Sequence, residues 1–146
     1  MATLHGTIVD AATNETIDAK VHVLDAGGGF KSPRGAIHKI GPGTPFFFSN
    51  GEFSVDVGRG RTDVLVERGT EYRPQRMVVE TPAAGIVDVE IPLERWHHPQ
   101  QQHWYPGNTN IHYDENDQRP DDRLGIDCSV EGYNVTCVSV LDRRQL

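Results

Sequence analysis

Cysteine is scarce in this chain: 146 residues carry two, Cys128 and Cys137, close together near the C-terminal end. Secreted scaffolds of this size that depend on disulfides usually carry more. Both are therefore expected to be small buried apolar residues, one on a helix and one on the following strand. Long apolar runs are missing as well, and none approaches the roughly 18 residues of a membrane-spanning helix. The opening Met1-Ala2-Thr3-Leu4-His5-Gly6 lacks the basic and apolar regions of a signal peptide, which leaves the compartment open. Positive charge is also short, with 14 Lys and Arg against 21 Asp and Glu and a net charge of −7 spread over both halves. Without a basic stripe, neither nucleic acid nor a membrane is an expected partner. No Gly-x-Ser-x-Gly, phosphate loop or Cys/His nucleophile pattern occurs.

What the chain does have is short alternating runs of Val and Ile. Thr3 to Val9 and Ala19 to Leu24 form the first two expected strands, with Val21 and Val23 on one face and Lys20 and His22 on the other. Phe46 to Ser49 and Glu52 to Val57 flank Asn50-Gly51, the sequence of a type I′ hairpin turn. Thr62 to Glu67, Tyr72 to Thr81 and Ile86 to Pro92 complete the series, and Pro74 assigns its strand to an edge or bulge. Seven short strands with frequent turns predict a mainly β fold, a seven-stranded antiparallel Ig-like or transthyretin-like sandwich over residues 1–95. About 90 residues suffice to bury a core.

Between the second and third strands runs an excursion, residues 25–44, broken by Gly27-Gly28-Gly29, Pro33 and Gly41-Pro42-Gly43. A loop this long in a compact domain is usually functional or packed on a neighbour, and it is expected to pack against the following domain. Arg59, Arg61, Arg68, Arg73 and Arg76 read as sheet surface.

Residues 96–106 form a linker containing His97, His98 and His103, which are expected to be solvated. Beyond it, Asn108, Asn110 and His112 alternate with Thr109 and Ile111, placing three polar side chains on one face of an extended strand. The charged stretch from Tyr113 to Pro120 reads as a solvated loop. It lacks the spacing and closing glutamate of an EF-hand. A short helix capped by Asp121 or Asp122 and running towards Gly125, a second helical segment from Cys128 to Gly132, and a strand buried on both faces from Val135 to Leu141 are then expected. Strand, helix and strand within this length make one βαβ unit, which cannot bury its own two faces.

Two resemblances attach to these residues. Gly6-Thr7-Ile8-Val9-Asp10, a polar turn and Ile17 to Val21 resemble the opening of transthyretin-like and carboxypeptidase regulatory-like sandwiches. Trp104-Tyr105-Pro106-Gly107 leading into Asn108 to His112 resembles the first motif of PHP-type metal-dependent hydrolases, in the carbaryl-hydrolase-like branch. That resemblance implies an α/β barrel that starts at residue 107 and is incomplete at residue 146. It implies a divalent metal (zinc, manganese or iron) in the complete protein, with His112 and Asn110 at first-strand ligand positions, and a small-molecule substrate. The family has a second histidine where this chain has Asn110, and asparagine is a weak, neutral ligand for zinc or iron. The alternative for His112 is a strand-end histidine bonded to Asp114, Glu115 or Asp117.

Two functions follow from different classes. One is an accessory sandwich plus the first βαβ unit of a metal-dependent hydrolase, inactive as the isolated chain, whose partner is the missing remainder of the barrel. No catalytic set is expected within it. The other is a stand-alone β-sandwich module that binds carbohydrate or protein.

Overall fold

The computed structural model describes residues 1–39, 42–113 and 120–140, without the side chains of His112, Tyr113 and Val140. The fold is mainly β. Seven strands come first: β1 (Ala2–Asp10), β2 (Ala19–Leu24), β3 (Phe47–Ser49), β4 (Glu52–Val57), β5 (Gly60–Glu67), β6 (Gln75–Thr81) and β7 (Gly85–Leu93). They form a three-stranded sheet in the order β4-β1-β7 and a four-stranded sheet in the order β3-β2-β5-β6. The period-2 pattern decides which face turns inward. Phe53, Val55 and Val57 of β4 are buried while Glu52, Ser54 and Asp56 are exposed. Leu4, Ile8, Val21, Val23, Phe47, Val64, Val66, Ile91 and Leu93 from both sheets meet in one apolar cluster. Each such side chain contributes about 1.5–3 kcal/mol by leaving water.

Two expectations about pairing are corrected. The sheets were expected to be antiparallel throughout, but β1 and β7 run parallel in register from Ala2↔Gly85 to Asp10↔Leu93. These are the first and last strands of the series, and no short turn obliges them to reverse. The Asn50-Gly51 hairpin is also absent: β3 pairs with β2 and β4 pairs with β1, so the turn carries the chain from one sheet to the other. A type I′ turn needs positive φ at both central residues. Gly51 has φ 102° and Asn50 is not in that region. All three residues of β3 are buried. This crossing lets Phe47 and Phe53 meet edge to face within the core, with ring centroids 5.6 Å apart. Pro74 does precede an edge strand, since β6 pairs only with β5 among the described strands.

The excursion is tied down locally. Asp25 accepts from the backbone N–H groups of Gly27 and Gly29 at 3.1 and 3.0 Å and pairs with Lys31 at 3.1 Å. The Lys31 bond and those N–H groups hold its carboxyl below the usual range. Further on, Phe48 N donates to Ile37 O and Lys39 N to Phe46 O, seating residues 37–39 beside β3.

After a short 3-10 helix at Pro99–Gln102, β8 (Gly107–Tyr113), α1 (Pro120–Glu131) and β9 (Val135–Val140) follow, with β8 and β9 parallel. The two expected helical pieces are one helix that passes through Gly125, and Asp121 and Asp122 lie in its first turn rather than at its cap. An exposed Gly inside a helix costs only about 1 kcal/mol relative to Ala, too little to divide one that docks. Gly132, at φ 75°, ends it: its N–H donates to Ser129 O, and that of Tyr133 to Cys128 O. The expected burial of β9 is not found, since Val135, Cys137 and Val138 are exposed. Cys128 is half-buried, so the pair of buried cysteines is corrected to one partly covered thiol and one open one. Leu141 and the charged stretch 114–119 lie outside the described residues.

At Gly6 the core leaves no room for a side chain. A β-carbon there would overlap the ring of Phe53, which packs across it from the paired strand. Gly6→Ala is expected to cost about 1–3 kcal/mol by overpacking, measured as a lower urea midpoint, and Phe53→Leu in the same chain should recover part of that loss.

Candidate functional site

The sequence places the candidate metal strand at β8, where the ladder is irregular. Asn108 pairs with Thr136, but Ile111 pairs with Val138, so three steps on β8 span two on β9. This is a bulge at Thr109 and Asn110. It breaks the expected row, because His112 pairs with Ser139, a register position of opposite parity to Thr136. The side chain of Asn108 supports the bulge, its Oδ1 accepting from Asn110 N at 2.9 Å. That oxygen is therefore engaged locally, Asn110 is exposed, and the His112 side chain lies outside the described residues. Among the described residues, no group of three or more His, Cys, Asp or Glu is placed to hold a metal ion. Asp114, Glu115 and Asp117, the alternative partners of His112, also lie outside the description. His97, His98 and His103 are exposed, as expected of the linker.

More is assembled where α1 meets the first seven strands. Val130 is the fully buried residue of the helix. Around it Lys20 pairs with Glu131, and Arg123 donates to His38 O at 2.6 Å while lying 6.0 Å from the Phe48 ring centroid. The excursion thus packs on the following unit through His38, as its length suggested. Gly69 leaves room for the helix end: a β-carbon there would come within 2.7 Å of Glu131 O, at a residue with φ 45°.

Beside this seat lies a cleft of about 280 Å³, lined by Arg68, Glu71, Tyr72, Arg95, Gln100 and Asn134 among others. Arg95 bonds Glu71 and also Gln100 Oε1 at 3.0 Å; Gln100 Nε2 donates to Glu71 Oε1 at 3.0 Å and reaches Asn134 Oδ1 at 3.5 Å. The Tyr72 hydroxyl donates to Asp10 Oδ2 at 2.7 Å, and Arg68 and Arg95 each lie 5.7 Å from the Tyr72 ring centroid. Burial pushes the Asp10 carboxyl up. The Tyr72 bond, the N–H groups of Ala12 and Thr13 and the Arg95 charge outweigh it and hold the group below its ordinary value. Burial and the Asp10 bond raise the Tyr72 hydroxyl. With its polar groups paired to one another, the cluster acts as a joint between the linker, the β8–β9 unit and the core strands.

Sequence reading missed this joint. Arg68 pairs with Asp18, 50 residues away, and Arg73 with Glu94. Only the crowding of Arg95, Trp96 and the glutamines after a strand signalled a tied linker.

No protein-family model and no curated protein sequence matches this chain.

Asp127, beside Glu131 on α1, makes the seat of that helix pH-dependent. Burial pushes its carboxyl up, Glu131 adds to the shift, and Lys20 and Arg123 oppose it. The folded chain therefore holds this proton more tightly than the unfolded chain does. Ionised Asp127 is a cost at neutral pH, which shrinks as pH falls through the raised value and is gone below about pH 4. Asp127→Asn is expected to raise the thermal midpoint at pH 7, followed by circular dichroism, and to give no gain near pH 3.5.

Proposed function

We propose that residues 1–95 form an accessory β-sandwich of the Ig-like or transthyretin-like kind, and that residues 107–146 open the α/β barrel of a PHP-type metal-dependent hydrolase. The observation that supports this most is the parallel β8-α1-β9 unit with β9 left open, Val135 being 57% and Val138 39% exposed. Parallel strands occur almost only in sheets covered on both faces, and a two-stranded parallel sheet leaves such faces bare. Trp104 and Tyr105, 71% and 60% exposed, lie just before β8 and extend the uncovered surface. Further strands and helices of the same domain are the natural cover.

In this reading His112 and Asn110 are the first strand's contribution to a divalent metal (zinc, manganese or iron), and later strands supply the other ligands. The metal would lower the pKa of a bound water so that hydroxide forms near neutrality, for attack on a small-molecule substrate. One histidine and one asparagine cannot hold a catalytic ion that needs three or more protein ligands. The chain of 146 residues is therefore inactive in metal-dependent hydrolysis. The core strands and the joint at Glu71, Arg95 and Gln100 carry the barrel and set its orientation.

The test is the source gene read past the codon for Leu146. An open frame of about 200 further residues, with His, Asp and Glu at the ends of apolar strands, is expected. A stop codon directly after Leu146 would overturn the hydrolase reading and favour a module that binds carbohydrate or protein.

A further inference from the structure

The outer face of the β4-β1-β7 sheet carries three rows in register: Asp56, Thr3 and Ile86; Ser54, His5 and Asp88; Glu52, Thr7 and Glu90. Serine, histidine and aspartate thus occupy three adjacent strands in one row, from positions 54, 5 and 88. The middle row is also bonded, Ser54 Oγ lying 2.9 Å from His5 Nδ1. We propose that Ser54 and His5 form a nucleophile and general-base pair, separate from the barrel chemistry, that acts on small carboxylic esters.

Three features support the pair. Ile8 N donates to Gly51 O at 2.7 Å, which makes that pair hydrogen-bonded and, by alternation, makes His5 and Ser54 a non-hydrogen-bonded pair. In such a pair the α-carbons are only about 4.5 Å apart and the side chains are closest. The same alternation aims the Ser54 N–H away from β1, towards the outer edge of β4, which no described strand covers. There it can donate to an oxyanion beside its own side chain. Finally, Ser54 and His5 line a shallow, open depression of about 440 Å³ that also includes Arg34, Phe48, Asn50 and Glu52. It offers an ester apolar contact and one charge of each sign.

In the reaction Ser54 Oγ attacks the ester carbonyl carbon and its proton passes to His5 Nδ1. The bond to the alcohol oxygen then breaks and the alcohol leaves with that proton. Water repeats the sequence on the acyl-serine, releasing the acid and restoring Ser54. Asp88 sits across the ladder from His5, so the row places a carboxylate on the strand beyond the base.

The experiment treats the chain with an alkyl fluorophosphonate, maps the adduct by mass spectrometry, and follows p-nitrophenyl acetate release. One adduct per chain on Ser54 is expected, abolished in Ser54→Ala, with acetate release slowed about 100-fold or more in His5→Gln, as befits a general base. Thr3→Ala, one row away, should keep both. Circular dichroism of each variant verifies folding, which substitutions on the outer sheet face, at half-buried His5 and Thr3 and exposed Ser54, should preserve. Absence of a Ser54 adduct, or release that survives in Ser54→Ala, overturns the proposal.

Discussion

Strand β1 is the member on which the first seven strands depend. It lies between β4 and β7, pairing antiparallel with one and parallel with the other, so it satisfies backbone groups along both edges for nearly its whole length. Leu4 and Ile8 on its inner face are fully buried, and Gly6 between them has no side chain because the Phe53 ring lies there. A bulkier residue at that step would push β4 away from β1 and open the contact between the two sheets. The outer face of the same strand holds Thr3, His5 and Thr7, each with a polar partner opposite. Core and surface are thus set by one alternation.

From this frame the second unit is held by a few specific contacts rather than by a large apolar interface. Val130 supplies the buried anchor, Lys20 and Arg123 supply charge-assisted bonds, and Gly69 allows the helix end to approach the backbone closely. The Glu71, Arg95, Gln100 and Asn134 network ties the linker into the same place. An interface built this way sets orientation more than affinity, because charge pairs gain little net energy but fail when misaligned. Asp127 sits in it at a cost, as a carboxylate beside Glu131 with only partial compensation.

Most of the strand positions and their inward faces were legible. Val21/Val23 against Lys20/His22, and Phe53/Val55/Val57 against Glu52/Ser54/Asp56, are alternations that a half-buried sheet imposes on any sequence, and Pro74 marked its edge. The βαβ pattern was legible from the β-branched run at Val135. The row on β8 was less so: alternation of Asn108, Asn110 and His112 predicts a shared face only if the ladder is regular, and the Asn108 side chain bonding to Asn110 N accompanies a bulge that shifts the register.

By itself the sequence determined where strands form, which of their faces turn inward and where turns fall, because side-chain periodicity and local backbone preference act over a few residues. Tertiary structure alone decided that Asn50-Gly51 crosses between sheets, that β1 and β7 run parallel, that Arg68 finds Asp18, and that Ser54, His5 and Asp88 share a row. Each of these depends on which strands become neighbours, and that choice is made by burying Phe47, Phe53 and the valines in one core rather than by any local signal.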